Sequence, residues 1–196
     1  MDRKRTLTAI VTVALMSASG LIAPAMAQTK PAAPPAATGS TAPARVVLNK
    51  GDRDFIGNAA HGGLAEIDLS KLAQKSANPD VRRFADRMIA DHTKIGERLA
   101  TIAQADGVDA PQTLDIEHQK LREKLANEHD GTFDREYAHA MVVDHDQAIK
   151  LFQQEEERPG HDVQLTRFAR STLPTLQEHR RMAVALADKL AATAAR

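Results

Sequence analysis

Two nine-residue segments, FADRMIADH at residues 84–92 and YAHAMVVDH at residues 137–145, give the clearest indication of how this chain folds. Both carry an aromatic residue, Ala, Met, Asp and His at the same five positions. The aromatic residue, the Met and the His follow one another at steps of four residues, so they lie along one face of an α-helix. The repeat therefore predicts two helices that present the same face to a shared interior.

The rest of the chain continues this helical pattern. Apolar residues recur at steps of three and four, and no segment alternates with a period of two for long enough to indicate a strand. Pro79, Pro111 and Pro159 lie close to Asn or Gly residues and mark breaks between helices. The predicted helices cover about residues 53–77, 79–105, 114–128, 133–157 and 161–194, with a kink at Pro174 in the last.

The order and lengths of these helices predict the architecture. Four long helices form two antiparallel hairpins with tight turns, and the short third helix connects one hairpin to the other. This is the connectivity of an all-α, ferritin-like four-helix bundle. Gly57, Gly62 and Gly63 each cost the first helix up to about 1 kcal/mol relative to Ala. They predict either the close approach of a neighbouring helix or a kink.

The composition excludes several classes of function. The chain has no Cys, which excludes disulfides, Cys-based zinc sites, iron–sulfur clusters and thiol catalysis. Basic and acidic residues both number 26 and form no basic stripe, so nucleic acid is not an expected partner. There is no G-x-S-x-G sequence and no Gly-rich phosphate loop, and the sequence points away from an enzyme.

The first residues are organised as a secretory leader. Basic residues at 3–5 precede an apolar segment at 7–16, and Ala25-Met26-Ala27 is a cleavage sequence. We expect residues 1–27 to be a Sec-type signal peptide cleaved after Ala27, giving a periplasmic or extracellular product, with outer-membrane association left open. The apolar segment is shorter than the roughly 20 residues that span a bilayer, so no transmembrane segment is expected after cleavage. Pro- and Ala-rich residues 28–48 predict a disordered linker, and residues 49–196 the bundle domain.

Each long helix carries one metal-competent residue within its apolar stripe: Glu66, His92, His145 and His179. Glu66 lies 12 residues before Asn78 and His92 lies 13 after Pro79, so these two should face each other across the first turn. His145 lies 14 residues before Pro159 and His179 lies 19 after Gly160. That offset of five residues corresponds to about 7.5 Å along a helix and needs a frayed helix start or a kink to close.

Two interpretations of these four residues remain open. As ligands, they suit one transition-metal ion such as Fe, Mn, Zn or Cu. Without a metal, they form a polar core network in which the histidines pair with Glu66, because an unpaired buried carboxylate is costly. Neighbouring polar residues could orient the histidines or belong to the same core: Tyr137, His118, Asp91 and Asp144.

The two repeats, together with Phe133-Asp134-x-x-Tyr137, Leu173-Pro174-x-Leu176-x-x-His179 and Ala60-x-Gly62-Gly63-x-x-Glu66, resemble a known bacterial family. The chain is similar, over about residues 54–190, to the exported proteins grouped as domain of unknown function 4142, often labelled predicted outer-membrane proteins. The resemblance implies a ferritin-like bundle and export but no settled activity. Unlike ferritins, this chain has no paired E-x-x-H motif and no core carboxylate on every helix, which argues against di-iron chemistry.

Two functions follow from these observations. The first is an exported bundle that binds one transition-metal ion at a Glu and three-His centre. The second is a metal-free helical interaction or envelope-stress module whose polar core is structural. Under either function, the chain could have a macromolecular partner, which would be an envelope protein or a second copy of the chain.

Overall fold

The computed structural model describes residues 48–160 and 162–195, and within them the chain forms helices and no strand. The predicted signal peptide, and the predicted linker up to residue 47, lie outside the described residues. The fold is all-α, as the sequence predicts. Five helices follow in the order α1 Lys50–Ala73, α2 Pro79–Ala105, α3 Ile116–Ala126, α4 Asp130–Glu157 and α5 Val163–Ala194.

Local signals set the helix boundaries. α1 begins about three residues earlier than predicted because Asn49 and Asp52 form a capping box, each side chain accepting from the backbone N–H of the other residue. It ends at Ala73, so the predicted end at residue 77 is wrong: residues 74–77 belong to the turn. α2 begins as predicted, with Asn78 as its cap and Pro79 in its first turn.

The helices form two hairpins, α1–α2 and α4–α5, with α1 also packed on α4 and α2 on α5. α1 and α4 are antiparallel. The Ser76 hydroxyl just after α1 donates to Asp134 at the start of α4 at 2.6 Å, while Asp52 at the start of α1 pairs with Arg158 just after α4 at 3.3 Å. α3 is the crossover between the hairpins and packs mainly on α1. The predicted ferritin-like bundle is therefore confirmed.

The bundle interior consists of two apolar clusters. One surrounds Phe84, Tyr137 and Leu186, and the other surrounds Phe55, Phe152 and Phe168. Along every long helix the chain passes from one cluster to the other; on α5, for example, Leu176 belongs to the second cluster and Ala183 to the first. Leu48, at the end of the predicted linker, is itself buried in the second cluster.

The glycines of α1 were expected to serve close helix approach or a kink, and Pro174 was expected to kink α5. The glycines of α1 do not serve close helix approach, since a Cβ placed on Gly57, Gly62 or Gly63 would meet no atom within 4 Å. α1 is one continuous helix through all three. α5 also continues as one helix through Pro174. Within the described residues, no helix is both long enough and apolar enough to cross a membrane.

Candidate metal centre

The four residues singled out by the sequence lie together between the two apolar clusters. Glu66 on α1, His92 on α2, His145 on α4 and His179 on α5 are all buried, each 2% exposed or less. The five-residue offset does not separate His145 from His179, whose ring centroids are 5.4 Å apart. His145 lies 12 residues before the end of α4 at Glu157, and His179 lies 16 after the start of α5 at Val163, so the offset between the helix ends is four residues. The connecting residues Arg158 and Asp162 are extended.

The three imidazole rings form a compact triangle. The ring centroids of His92 and His145 are 5.4 Å apart, and those of His92 and His179 are 5.1 Å apart. One ring nitrogen from each histidine lies within 4.8 Å of the other two. Zinc–nitrogen bonds are about 2.0–2.1 Å long, so nitrogens around one ion are roughly 3.4 Å apart in tetrahedral geometry. Small rotations of the rings would bring the nitrogens from the observed separations to those around a bound ion.

One nitrogen of each ring is held by an oxygen that can only accept a hydrogen bond. His92 Nδ1 donates to Glu66 Oε2 at 2.9 Å, and His179 Nε2 donates to Asp91 Oδ2 at 3.0 Å. His145 Nδ1 donates to the backbone carbonyl oxygen of Met141 at 2.8 Å. Metal-binding histidines are oriented in this way, because the donated hydrogen fixes the tautomer and leaves the other nitrogen as the ligand.

The remaining nitrogens are His92 Nε2, His145 Nε2 and His179 Nδ1. His92 Nε2 and His179 Nδ1 are 3.2 Å apart and share a hydrogen bond. His145 Nε2 is buried and has no hydrogen-bond partner among the described residues. Since its Nδ1 carries the hydrogen, Nε2 presents a lone pair in a dry interior, which is costly unless a cation or donor meets it. The donor set therefore fits a transition-metal ion.

Glu66 differs from the role of fourth ligand expected for it. Its Oε2 accepts from His92 Nδ1, and its Oε1 lies 3.2 Å from His145 Nδ1, but it is not part of the group whose ligand atoms lie within 4.8 Å of one another. In this arrangement Glu66 contacts two of the three rings and can orient them. The group that could hold an ion comprises three histidines.

The protonation of the site follows from burial and charge. Burial raises the pKa of Glu66, but the charges of His92 and His145 and the hydrogen bond from His92 outweigh it and lower the pKa to about 2. Burial lowers the pKa of His92, but the carboxylate of Glu66 outweighs it and raises the pKa above its usual value. Burial lowers the pKa of His145, and burial together with the charge of His92 lowers that of His179 to about 4.

Of the other residues suggested by the sequence, Asp91 contacts a histidine of the triangle. It accepts from His179 on the neighbouring helix rather than from the adjacent His92, and it also accepts from Arg87. Tyr137 is in the apolar cluster, where its hydroxyl hydrogen-bonds Ser70 at 2.8 Å and burial raises its pKa. The Met141 carbonyl was missed, although its position four residues before His145 is the one that a helical His reaches.

His118 and Asp144 lie beside the centre rather than in it. His118 pairs with Asp115 on α3 at 2.9 Å. Asp144 is partly buried, and its Oδ2 has no hydrogen-bond partner in the described part of the chain. Burial, followed by the negative charge of Glu66, raises the pKa of Asp144 to about 7.

Comparison with known proteins supports the fold. The model of the family described as "Domain of unknown function (DUF4142)" matches residues 35–186. Among solved structures, the chain is similar to the crystal structure of a DUF305 fragment from Deinococcus radiodurans. The TM-score is 0.64 at 13% identity, over 74% of this chain and 99% of that one. At this identity the likeness concerns the fold. A comparison with curated proteins finds no match.

Proposed function

We propose that this chain, which belongs to the DUF4142 family, binds one transition-metal ion in its bundle core through His92, His145 and His179. The observation that carries the proposal is that the three histidine rings are both oriented by hydrogen bonds and brought close together. Each ring is anchored on one nitrogen by an oxygen acceptor, and one nitrogen of each ring lies within 4.8 Å of the other two in the buried interior. A helical bundle needs no such convergence for stability, since apolar residues pack the same layer at lower cost.

The three imidazole ligands limit which metal ions are expected to bind. Imidazole nitrogens suit Zn, Cu, Fe and Ni, while Mn prefers carboxylate and carbonyl oxygens. Three protein ligands leave a coordination position for water or another ligand, unlike the closed four-ligand sites that serve structure alone. This arrangement supports a metal-handling function over a structural one.

We further propose that the protein works outside the cytoplasm, in the periplasm or envelope. Support comes from the basic residues, apolar segment and cleavage sequence within residues 1–27. Intact-mass measurement on protein from the periplasmic fraction should give a chain that begins at Gln28. A full-length chain in the membrane fraction would contradict cleavage.

A metal-free role is the second candidate, and one observation favours it. His92 and His179 already share a hydrogen bond, so Glu66, His92, His179 and Asp91 form a continuous chain of hydrogen bonds. In that case the polar layer fixes the register of the four helices, and the protein acts as an interaction or envelope-stress module.

Metal titration distinguishes the two candidates. We expect one Zn²⁺, Cu²⁺, Ni²⁺ or Fe²⁺ ion per chain, and a gain in stability of about 2.7 kcal/mol when the free ion is at 100 times its dissociation constant. His145→Ala should abolish the shift in melting temperature. His118→Ala is the matched control, because His118 is bound to Asp115 outside the triangle, and it should retain the shift. Equal shifts in all three proteins, or none in the wild type, would contradict the proposal.

The orienting residues give a second test of the same site. Glu66→Gln and Asp91→Asn keep the shape of the side chains but remove the carboxylates that hold His92 and His179. Each should weaken metal binding by about 10–100-fold without changing the stoichiometry. Unchanged affinity in both variants would mean that the metal binds elsewhere.

A further inference from the structure

A cavity of about 280 Å³ lies next to the histidine triangle and is lined by His92 of the triangle and by Glu66, which contacts it. One wall is the face of α1 that carries Asn58, Gly62 and Glu66, and the opposite wall is a face of α4. Its α4 wall consists of residues spaced by three and four: Asp144, Gln147, Ala148, Leu151 and Phe152. Asp115 and His118, at the start of α3, also line it.

The cavity is a slot with a polar end and an apolar end. α1 and α4 are antiparallel, and Glu66 contacts His145, so Glu66 and Asp144 lie at the same end. Leu151 and Phe152 lie about two turns away, where Ile95 and Leu176 complete an apolar lining. The lining of α1 runs from Asn58 to Glu66, and these eight steps of 1.5 Å make the slot about 12 Å long.

Two glycines leave part of the α1 wall of the slot without side chains. Gly62 and Gly63 both line it, and a Cβ on either would meet no atom within 4 Å. Neither glycine has a positive φ that would require it. Two glycines in a helix interior are unfavourable, and leaving this space open is the physical effect that the structure shows for them.

Acidic side chains outnumber basic ones along the slot, even with His92 counted as positively charged. Three carboxylates, those of Glu66, Asp115 and Asp144, line it, and no Lys or Arg does. His92 and His118 pair with two of them. The third, Asp144, has an Oδ2 atom that accepts no hydrogen bond from the described residues. A ligand with a positively charged donor would complete the polar end, and an anion would be repelled.

We infer that this slot binds a small amphipathic organic cation, with its ammonium group at Asp144 and its apolar part along Ala148, Leu151 and Phe152. The apolar lining favours such a molecule over a hydrated metal ion, because the apolar part of the molecule displaces water from the slot. The inference goes beyond metal binding and requires no metal ion.

A matched series of probes tests the charge preference. We expect hexylammonium to bind saturably, at one site per chain, in calorimetric titrations with chelator present at about pH 8, where carboxylates are ionised. Hexan-1-ol and hexanoate have the same chain length without the positive charge. They should bind at least about tenfold more weakly. Equal binding of the alcohol, or no saturable binding of hexylammonium, would overturn the inference.

Variants locate the binding in the slot. Asp144→Asn keeps the shape and removes the charge, and it should weaken hexylammonium binding by about tenfold or more. Gly62→Leu fills the slot and should abolish binding. Gly57→Leu is its control, because Gly57 is in the same helix with open space around its Cβ but does not line the slot. Full binding by Asp144→Asn, or equal losses in the two leucine variants, would overturn the assignment.

These titrations also separate this inference from the proposed metal function. His145→Ala should lose the metal-induced stabilisation and keep hexylammonium binding, because His145 does not line the slot. Asp144→Asn should keep the metal-induced stabilisation and lose hexylammonium binding. Loss of both activities in both variants would overturn the inference of a separate ligand site.

Discussion

His92 and His179 can satisfy their hydrogen bonds only by sharing one positive charge. The chain from Glu66 through His92 and His179 to Asp91 contains three hydrogen bonds, and both ends are carboxylates that only accept. Three hydrogens must therefore be distributed over the four nitrogens of two rings, which makes one ring neutral and the other an imidazolium. The raised pKa of His92 and the lowered pKa of His179 assign the charge to His92.

This assignment predicts that His92 and His179 together stabilise the metal-free protein most near pH 6.5. The raised pKa of Asp144 has the opposite effect, because its contribution to stability is lost as the pH rises towards about 7, and Asp144→Asn removes that effect. The pKa of His92 is raised, so its stabilisation is complete below the unfolded value of 6.5 and is lost as the pH rises through the folded pKa. The pKa of His179 is lowered from 6.5 to about 4, so its stabilisation is present above 6.5 and is lost as the pH falls through about 4. The loss on the acid side should reach about 3 kcal/mol, at about 1.4 kcal/mol per pKa unit.

Urea unfolding of the Asp144→Asn variant from about pH 4 to pH 8, with chelator present, measures both sides of this maximum. Nitrogen-15 NMR of the imidazoles should show His92 doubly protonated near pH 6, His145 with its hydrogen on Nδ1 and His179 with its hydrogen on Nε2. A free energy of unfolding that rises steadily up to pH 8 would contradict a charged His92.

At the scale of the helix, the same substitution should have opposite effects at two glycines. Gly57 is inside α1, and its Cβ position is open, so Gly57→Ala should raise the free energy of unfolding by about 0.5–1 kcal/mol. Gly160, in the turn between α4 and α5, has a φ of +82° that an L-residue adopts only with strain. Gly160→Ala should lower the free energy of unfolding by about 1–2 kcal/mol.

Chemical denaturation of the two variants beside the wild type measures both effects. Far-UV circular dichroism controls for a change in helix content. A loss of stability in Gly57→Ala would mean that α1 needs that glycine for a reason other than the space around it.

At the level of the complete bundle, one arginine connects the ends of two helices from different hairpins through ion pairs. Arg158 follows α4 and pairs with Asp52 of α1 at 3.3 Å and with Glu155 of α4 at 2.7 Å. Both carboxylates are 2% exposed. Arg158→Gln removes a positive charge that two buried carboxylates share. Because the Arg158 side chain is itself 37% exposed, the loss in the free energy of unfolding should be smaller than for a fully buried pair, about 1–3 kcal/mol.

Lys50→Gln is the control for this variant, because Lys50 also pairs with a carboxylate of α1, that of Asp54, but both partners are exposed. A surface pair of this kind is worth about 0–1 kcal/mol. Urea unfolding of both variants gives the comparison. A loss in Arg158→Gln no greater than in Lys50→Gln would show that the ion pairs of Arg158 do not stabilise the bundle.

The elements could be predicted because their signals are local. The start of α2 follows from Asn78 and Pro79, and the two repeats predict which faces of α2 and α4 are buried. The boundaries of α1 were less accurate, because the chain after Ala73 keeps helix-forming residues. Only the packed structure shows where that helix stops.

Helical periodicity alone was enough to predict the all-α class, the two hairpins and the set of Glu66, His92, His145 and His179, because it assigns each of these residues to a buried stripe. The contacts within that set could be seen only once the helices were packed. Glu66 contacts two histidines, and Asp91 pairs with His179 on the neighbouring helix instead of with the adjacent His92. These contacts depend on ring direction, which follows from helix rotation and side-chain rotamers. Packing between residues far apart in the chain sets both, and no local pattern encodes them.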